Sequence, residues 1–345
     1  MSTTGEIIRK MVLAFTKGDA AAFRRAAEDF VTEEKRKKHH ILAKEIERIL
    51  NNNSRTDAII KKEFTELGGY SSELPRDKER GIILVEVIEP RKDFDDLILS
   101  EEVYNILLGV ITENRYGDLL RTYGLKPANR ILFCGPPGCG KTVTTEVVAT
   151  TLRLPMVLVR FDAVVSSYLG ETAANLRKVF DFAYTRPMVL LFDEFDAIGK
   201  HRSAEDEHGE LKRVVNSFLQ MLDNFRGDAI IVAATNHQGL LDPALWRRFD
   251  DILFFNKPSW KEIYRVFIAN FRQIGISPNI DLEPIAKKLI GASHADIERI
   301  AIDAIKSTVL EQDDRINEHV LEVAIERYFS RARITTEYSR RSDKG

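Results

Sequence analysis

Five short apolar runs lie between residues 131 and 255, and stretches long enough to form a helix separate them. The runs are 131–133, 156–159, 189–192, 230–233 and 252–255. Strands that are apolar along their whole length are typical of a parallel sheet, because helices cover both of its faces. The alternation of strands and helices favours the same architecture. The sequence therefore predicts an open α/β domain with a five-stranded parallel sheet.

Helical periodicity dominates on both sides of this region. It runs from residue 6 to about residue 67, and it returns after Pro258 without any further strand pattern. Between the first helical zone and the α/β region, an apolar run at 82–85 indicates a β segment. We expect a helical N-terminal domain that binds a substrate or adaptor (1–75), a linker with the β segment (76–91), the α/β domain (92–257), a small helical domain (258–330) and a C-terminal tail (331–345).

The composition limits the classes of partner and location. The 345 residues are 44% hydrophobic and 30% charged, and their formal net charge is −2. Proteins with a large nucleic-acid interface usually carry a basic excess, so we do not expect nucleic acid as a partner. No apolar run approaches the about 20 residues of a membrane helix, and the N-terminus does not lead into a signal segment. We expect a cytoplasmic protein, and two cysteines, Cys134 and Cys139, suit a reducing compartment without a disulfide or metal site.

A glycine-rich segment directly follows the first apolar run. Residues 135–142 read Gly-Pro-Pro-Gly-Cys-Gly-Lys-Thr and match the pattern G-x-x-x-x-G-K-[ST], with a strand before and a helix after. Glycines let the backbone approach phosphate oxygens, and the N–H groups of the loop and helix N-terminus attract the anion. Lys141 is expected to reach the β- and γ-phosphates of ATP and Thr142 to ligate Mg²⁺. The predicted nucleotide-binding residues of this P-loop are Pro137, Gly138, Cys139, Gly140, Lys141, Thr142 and Val143.

Polar residues end two later strands of the predicted sheet. Asp193 and Glu194 follow the run 189–192, at the sheet edge where open α/β proteins bind ligands. We expect Asp193 to hold the Mg²⁺ shell and Glu194 to act as the general base for the attacking water. Asn236 ends the next strand and is predicted to orient that water or to sense the γ-phosphate, with capping of the turn as the alternative. An acid beside the metal position favours hydrolysis over transfer to a small molecule.

Two consecutive arginines, Arg247 and Arg248, follow Asn236 in the chain and have no obvious carboxylate partner within their own run. An arginine supplied in trans stabilises the charge that develops during phosphoryl transfer. Such a role requires a neighbouring subunit. The pair therefore predicts an oligomer whose active sites lie between subunits.

With these four elements in this order and spacing, the chain resembles an AAA ATPase of the AAA+ superfamily. It is similar to the protein-remodelling clade of FtsH-type proteases, katanin and spastin, over about residues 92–330. The resemblance implies the P-loop NTPase fold with a small helical lid domain, ATP and Mg²⁺ as cofactors, and a hexameric ring. It also implies that Asn236 is sensor 1 and that Arg247 and Arg248 are arginine fingers.

Two further segments resemble the clade's nucleotide contacts. Residues 94–98 resemble the Asp-Asp-Ile/Val element, whose backbone touches adenine, and this implies a binding role for Asp96. Residues 291–297 are similar to Gly-Phe-Ser-Gly-Ala-Asp-Ile, which starts a helix against the nucleotide and includes Ala295. His294 replaces the usual glycine, and it either lies near the base or ribose or only caps the helix. The segment 291–298 shows no sensor-2 arginine.

Residues 167–172 occupy the place of the clade's aromatic–hydrophobic–glycine pore loop, before a helix expected to begin near Ala173. The resemblance implies that Tyr168, Leu169 and Gly170 face a central channel and grip a protein substrate. The alternative is a tyrosine buried in the core. A second candidate pore loop, at about 199–209, is polar, and residues 210–213 follow it where the clade has inter-subunit contacts.

The sequence favours an ATP-dependent protein-remodelling motor, of the unfoldase or disassembly type. Its expected partners are copies of itself, a protein substrate, and an adaptor or a separate protease chain, because the chain has no His-Glu-x-x-His motif. Two alternatives stay open. One is a DNA-directed AAA+ ATPase, and the other is a scaffold whose assembly is gated by nucleotide, since a switch and a motor share their phosphate-binding residues.

Overall fold

The structure is a computed structural model that describes residues 74–165, 169–195, 208–237, 246–313 and 315–342, with helical residues 9–10, 25–27 and 29–30. The chain divides into two compact units, Met1–Ser72 and Glu73–Gly345. Most of the expected N-terminal domain, Tyr168 and the second candidate pore loop lie outside the described residues. The predicted α/β domain and the small helical domain both belong to the second unit.

A six-stranded sheet forms the centre of this unit, in the order β1-β3-β4-β5-β2-β6. The strands are β1 (Val85–Ile88), β2 (Arg130–Cys134), β3 (Met156–Val159), β4 (Val189–Phe192), β5 (Ile230–Thr235) and β6 (Asp251–Phe254). The five predicted strands, β2 to β6, pair in parallel. The predicted P-loop α/β fold is confirmed, but the strand count was one too small. The predicted β segment supplies β1, which pairs antiparallel with β3 at the sheet edge.

Helices cover both faces of the sheet, as the apolar strands require. They are α1 (Glu101–Arg115), α2 (Gly117–Thr122), α3 (Lys141–Leu152), α4 (Phe161–Val164), α5 (Leu169–Tyr184) and α6 (His208–Asn224). On one face, Leu132 and Leu190 pack in a core that includes Phe180 and Phe218 of α5 and α6. On the other face, Ile131 and Phe133 of β2 pack in a second core with buried residues of α1 and α3. Consecutive residues of a strand therefore pack in cores on opposite faces of the sheet, because side chains alternate along a strand.

The small helical domain has a core of its own. It contains α7 (Trp260–Ile274), α8 (Leu282–Lys288), α9 (His294–Leu310) and α10 (Glu318–Ser342), and two short strands, β7 (Ser277–Pro278) and β8 (Arg315–Ile316). Phe267, Phe271 and Leu321 are buried between its helices. The prediction that no strand follows Pro258 was wrong, since β7 and β8 pair in parallel. The last helix continues through residues assigned above to the tail.

Within the described part of the chain, no helix is both long and apolar enough to cross a membrane.

Candidate functional site

A cavity of about 340 Å³ opens where the glycine-rich loop meets the ends of β4 and β5. Its wall has three parts: residues 137–143, the polar residues after β4 and β5, and residues 96–99 with the start of α9. All of the residues predicted to bind nucleotide or metal lie on this wall, and so do Glu194 and Asn236. The fold therefore gathers residues spread over 200 positions of the sequence at one edge of the sheet, where open α/β sheets bind ligands.

The ammonium of Lys141 is held in place by three acceptors. Its Nζ donates to the carbonyl oxygens of Gly135 (2.7 Å) and Pro136 (2.9 Å) and to Oδ1 of Asn236 (2.8 Å). An ammonium has three donors, and each of these bonds can use one of them. Lys141 is only 6% exposed. A positive charge is thus positioned at the floor of the cavity, and Asn236 is fixed beside it.

The acidic residues after β4 form a tight turn. Oδ2 of Asp193 accepts a hydrogen bond from the Thr142 hydroxyl (2.7 Å), and Oδ1 accepts one from the backbone N–H of Glu194 (2.8 Å). Glu194 has a φ of +51°, in the left-handed region that residues other than glycine rarely adopt. Backbone strain of this kind clusters at functional sites. The turn separates the two carboxylates, so that Asp193 faces Thr142 and Glu194 lines the cavity as well.

These groups fit a magnesium–nucleotide complex. Lys141 and the N–H groups at the start of α3 suit the negative charge of phosphates. A Cβ added at Gly140, which has a φ of +93°, would meet no atom within 4 Å, so the loop borders open space there. Mg²⁺ prefers oxygen ligands and is usually bound by one or two protein groups together with substrate phosphates. Thr142 and Asp193, whose oxygens lie 2.7 Å apart, are the residues that would hold it.

The start of α9 is fastened to the glycine-rich loop. The N–H of Ala295 donates to the carbonyl oxygen of Gly138 (3.0 Å). Ser293 caps the helix in a reciprocal capping box with Asp296, which sets where α9 begins. Lys257 adds a bond from its Nζ to the carbonyl oxygen of Gly291 (2.6 Å). The helical domain therefore contributes directly to the cavity wall.

The segment 91–99 is held against α3 at its N-terminal end. The backbone N–H groups of Arg91 and Lys92 both donate to Oε1 of Glu146, at 2.9 and 3.2 Å. Asp93 and Asp96 then form a capping box around a short 3-10 turn, so the Asp96 carboxylate is occupied within its own segment. Glu146 was not singled out from the sequence, because nothing near it in the chain marks its contact.

Two residues of α9 extend the cavity beyond the predicted set. Both ring nitrogens of His294 are buried. Burial lowers the pKa of His294, although the Glu262 carboxylate and the Ile98 backbone oppose that shift. Glu298, one helical turn further, also lines the cavity and was missed. The helical spacing of four residues from His294 was the signal that could have found it.

The two cysteines are free, and both are buried. Burial raises the pKa of the Cys134 thiol to about 12 and raises that of Cys139, which lines the cavity. Thiolates, and not thiols, are the reactive form of cysteine. At neutral pH the two side chains therefore act as small apolar groups.

The paired arginines do not line the cavity of their own chain. Arg247 is exposed, and Nε of Arg248 donates to Oδ2 of Asp223 at the end of α6 (2.8 Å). The carboxylate partner that their own run lacks is thus supplied from 25 residues upstream. Their predicted role in trans stays a prediction.

One part of the expected pore loop has a different backbone structure. Leu169 and Gly170 form the first residues of α5, which begins four positions before Ala173, where the helix was expected to start. Glu171 lies in the first turn, where a negative charge is favourable to the helix dipole. Residues 169–172 of the expected loop are therefore helical. Tyr168 lies outside the described residues.

Comparisons with known proteins agree with this geometry. The model of the ATPase family associated with various cellular activities (AAA) matches residues 131–257. The uncharacterized AAA family ATPase y4kL of Sinorhizobium fredii is 38% identical over 314 residues, which cover 91% of this chain and 92% of that protein. The proteasome-activating nucleotidase of Methanopyrus kandleri is 32% identical over 250 residues, or 70% of this chain and 57% of that protein. These relatives do not single out the FtsH, katanin and spastin clade. The chain is an ATP hydrolase and belongs to the AAA family of ATPases.

Proposed function

We propose that the chain is an ATP-dependent protein-remodelling motor that hydrolyses Mg-ATP between the subunits of a ring and pulls on a protein substrate. The observation that carries the proposal is an unequal distribution of charge. The cavity holds Lys141 and the acidic pair, whereas Arg247 and Arg248 do not line it. A neighbouring copy of the chain would supply the missing cations.

The chemistry of hydrolysis is assigned to the groups on the cavity wall. Lys141 and the N-terminus of α3 bind and orient the phosphates of ATP. Glu194 accepts a proton from water as the new oxygen–phosphorus bond forms, and the bond to the ADP oxygen breaks, which gives ADP and phosphate. Asn236, fixed by its hydrogen bond to Lys141, orients that water. When bound at Thr142 and Asp193, magnesium would neutralise phosphate charge.

The arginines complete the site in trans. Arg247 is exposed and available to a neighbouring subunit. Arg248 is held by Asp223, and this ion pair fixes the direction of the arginine-bearing segment relative to α6. An arginine beside the γ-phosphate stabilises the charge of phosphoryl transfer, which makes the proposed activity dependent on assembly. Six subunits are the number that the family resemblance implies.

A protein substrate is favoured by two observations. One relative is named a proteasome-activating nucleotidase, and this name links its nucleotide chemistry to a protein-handling partner. The near-neutral net charge of −2 does not favour binding to the phosphate backbone of nucleic acid. We propose that Tyr168 contacts the substrate, that an adaptor or separate protease chain takes part, and that the chain works in the cytoplasm.

The test is ATP turnover measured against protein concentration, with mass photometry on the same samples. We expect turnover to rise as a species of about six subunits appears, and Glu194→Gln to assemble with ATP but not hydrolyse it. Substrates would then be trapped with the Glu194→Gln form, and Tyr168→Ala should stop their remodelling. Turnover that is independent of concentration in a persistent monomer would contradict the ring. Stimulation by DNA and by no protein would favour the DNA-directed alternative.

A further inference from the structure

Segment 91–99, called the strap below, contributes its residues 96–99 to the wall of the nucleotide cavity. Lys141 and the start of α3 mark the phosphate end of this cavity. The strap residues form a different part of the wall, together with the start of α9. A nucleotide whose phosphates lie at Lys141 would therefore extend its nucleoside towards the strap.

The C-terminal end of the strap is held by apolar packing on two sides. Leu97 and Leu99 pack against the core that α1 and α3 form with the sheet. Ile98, which lies between them, packs against the core of the small helical domain. The backbone at Leu97 is extended, and side chains alternate along an extended chain. Three consecutive residues therefore contact both domains beside the cavity.

The N-terminal end of the strap is held by hydrogen bonds to carboxylates. The side chains of Arg91, Lys92 and Asp93 are exposed. Oε1 of Glu146 accepts the backbone N–H groups of Arg91 (2.9 Å) and Lys92 (3.2 Å), and Oδ2 of Asp96 accepts that of Asp93 (3.0 Å). Hydrogen bonds to an ionised acceptor are roughly twice as strong as those between neutral groups. Glu146 thus fixes where the strap begins.

Both parts of the cavity wall are therefore attached to the same helix. The helix α3 carries Lys141 at its start and Glu146 five positions further on. A wall that is in place for only a fraction of the time lowers the apparent affinity for its ligand by that fraction. The bonds from Glu146 to the strap are thus expected to matter for nucleotide binding.

We propose that Glu146 is a positioning residue, which fastens the strap to α3 so that the wall facing the nucleoside is formed before nucleotide binds. Among the described residues that line the cavity, Glu146 is absent, so it acts through the strap and not by touching the ligand. The inference rests on nucleotide binding at the cavity and is independent of the ring and of the protein substrate.

The experiment measures the affinity for ADP and for inorganic tripolyphosphate by calorimetry, which needs no turnover. Glu146→Leu removes the acceptor and should weaken ADP binding about fivefold, the effect of losing roughly one hydrogen bond. Tripolyphosphate has no nucleoside, so its affinity should not change. Glu146→Gln retains an oxygen acceptor and should bind ADP nearly as tightly as the wild type. Unchanged ADP affinity in Glu146→Leu, equal weakening of both ligands, or a glutamine variant as weak as the leucine variant would overturn the proposal.

Two control substitutions separate the proposed bonds from other effects of charge. The donors are backbone N–H groups, so Arg91→Ala and Lys92→Ala should leave the ADP affinity unchanged. A loss in these variants equal to that of Glu146→Leu would assign the effect to side-chain charge and contradict the proposal. Glu322→Leu makes the same change at an exposed glutamate of α10 and should bind both ligands as the wild type does.

Hydrogen exchange of the ligand-free protein locates the change in structure. Glu146→Leu should speed exchange of the amides of residues 91–93, which lose their acceptor, and leave exchange in 135–152 as it is in the wild type. Faster exchange throughout 135–152 would show that Glu146 supports α3 itself, and the positioning role would be wrong.

A failure of the wild-type chain to bind ADP would be a different result. It would contradict nucleotide binding at this cavity, and with it the proposed function. A wild-type chain and a Glu146→Leu variant that bind ADP alike would instead leave the ATPase intact and remove only the role of Glu146.

Discussion

Gly135, the first glycine of the loop, is expected to be required by the fold, whereas Gly140 is required by the ligand. A Cβ at Gly135 (φ +148°) would lie 2.1 Å from the carbonyl oxygen of Phe255. This oxygen belongs to the backbone, so no side-chain rotation can relieve the clash. Moving it by about 1 Å would break the hydrogen bonds from Phe255 to Cys134 (2.7 Å) and from Gly135 to Thr235 (3.2 Å). At about 1 kcal/mol for each bond and about 1–3 kcal/mol for a glycine-only conformation, Gly135→Ala should lower the free energy of unfolding by about 3–5 kcal/mol.

The matched substitution is Gly140→Ala. Its Cβ would meet no atom within 4 Å, so only the left-handed backbone, with a φ of +93°, opposes it. The expected loss is about 1–2 kcal/mol. In thermal unfolding without nucleotide, Gly135→Ala should lower Tm by about 10 °C and Gly140→Ala by about 4 °C, at roughly 2–4 °C per kcal/mol.

Nucleotide titration of the same two variants completes the comparison. Gly140→Ala should be folded and yet bind ATP poorly, because its methyl group enters the space beside the phosphates. Equal falls in Tm would show that the contact with Phe255 yields easily, and the argument for Gly135 would be wrong. Unchanged ATP affinity in Gly140→Ala would place the phosphates elsewhere.

Three further predictions concern the cavity. Lys141→Met should weaken ATP binding by about 100-fold, because a charge-assisted bond to phosphate contributes roughly 1.5–3 kcal/mol. A titration with a fluorescent nucleotide measures this affinity, and an unchanged value would contradict the prediction. Asn236→Ala should lower kcat about tenfold or more with little change in ATP affinity, since the Asn236 amide is proposed to orient water. Rapid-quench and binding measurements separate the two effects. A loss confined to ATP affinity would refute this role of Asn236. Because burial lowers the pKa of His294, the unfolded chain takes up a proton first as the pH falls below about 6.5, so acid destabilises the fold. Between pH 7 and pH 5, the Tm of the wild type should therefore fall more than that of His294→Leu, and equal falls would contradict a depressed pKa.

The parts of the fold that depend on local patterns could be predicted from the sequence. The strands β2 to β6 are apolar runs because both faces of the sheet are buried, and each run matches a strand to within a few residues. The glycine-rich loop was equally predictable, since its phosphate-binding function requires glycine, lysine and threonine at fixed spacing. Its contact with Phe255 was not, because that contact depends on how β6 lies beside β2.

The features that were missed depend on pairing between distant residues. The β segment was expected from its apolar residues. Its antiparallel pairing with β3 was not, because that pairing depends on tertiary contacts. The strands β7 and β8 have two residues each, too few for any periodicity. The ion pair of Arg248 with Asp223 joins residues 25 positions apart, and no local spacing rule covers that separation. The burial of the His294 ring nitrogens similarly becomes visible only once the neighbours of the ring are known.

The central claim is that each active site is shared between two subunits, and complementation between two inactive variants tests it most directly. Glu194→Gln keeps the arginines but lacks the proposed base. The double variant Arg247→Ala, Arg248→Ala keeps the base but lacks the arginines. We predict that each alone hydrolyses ATP at background rates, and that mixing them restores activity, because some interfaces then combine Glu194 of one subunit with the arginines of its neighbour. A mixture that stays inactive while mass photometry shows mixed rings, or a double variant that retains full turnover alone, would contradict a site built from two subunits.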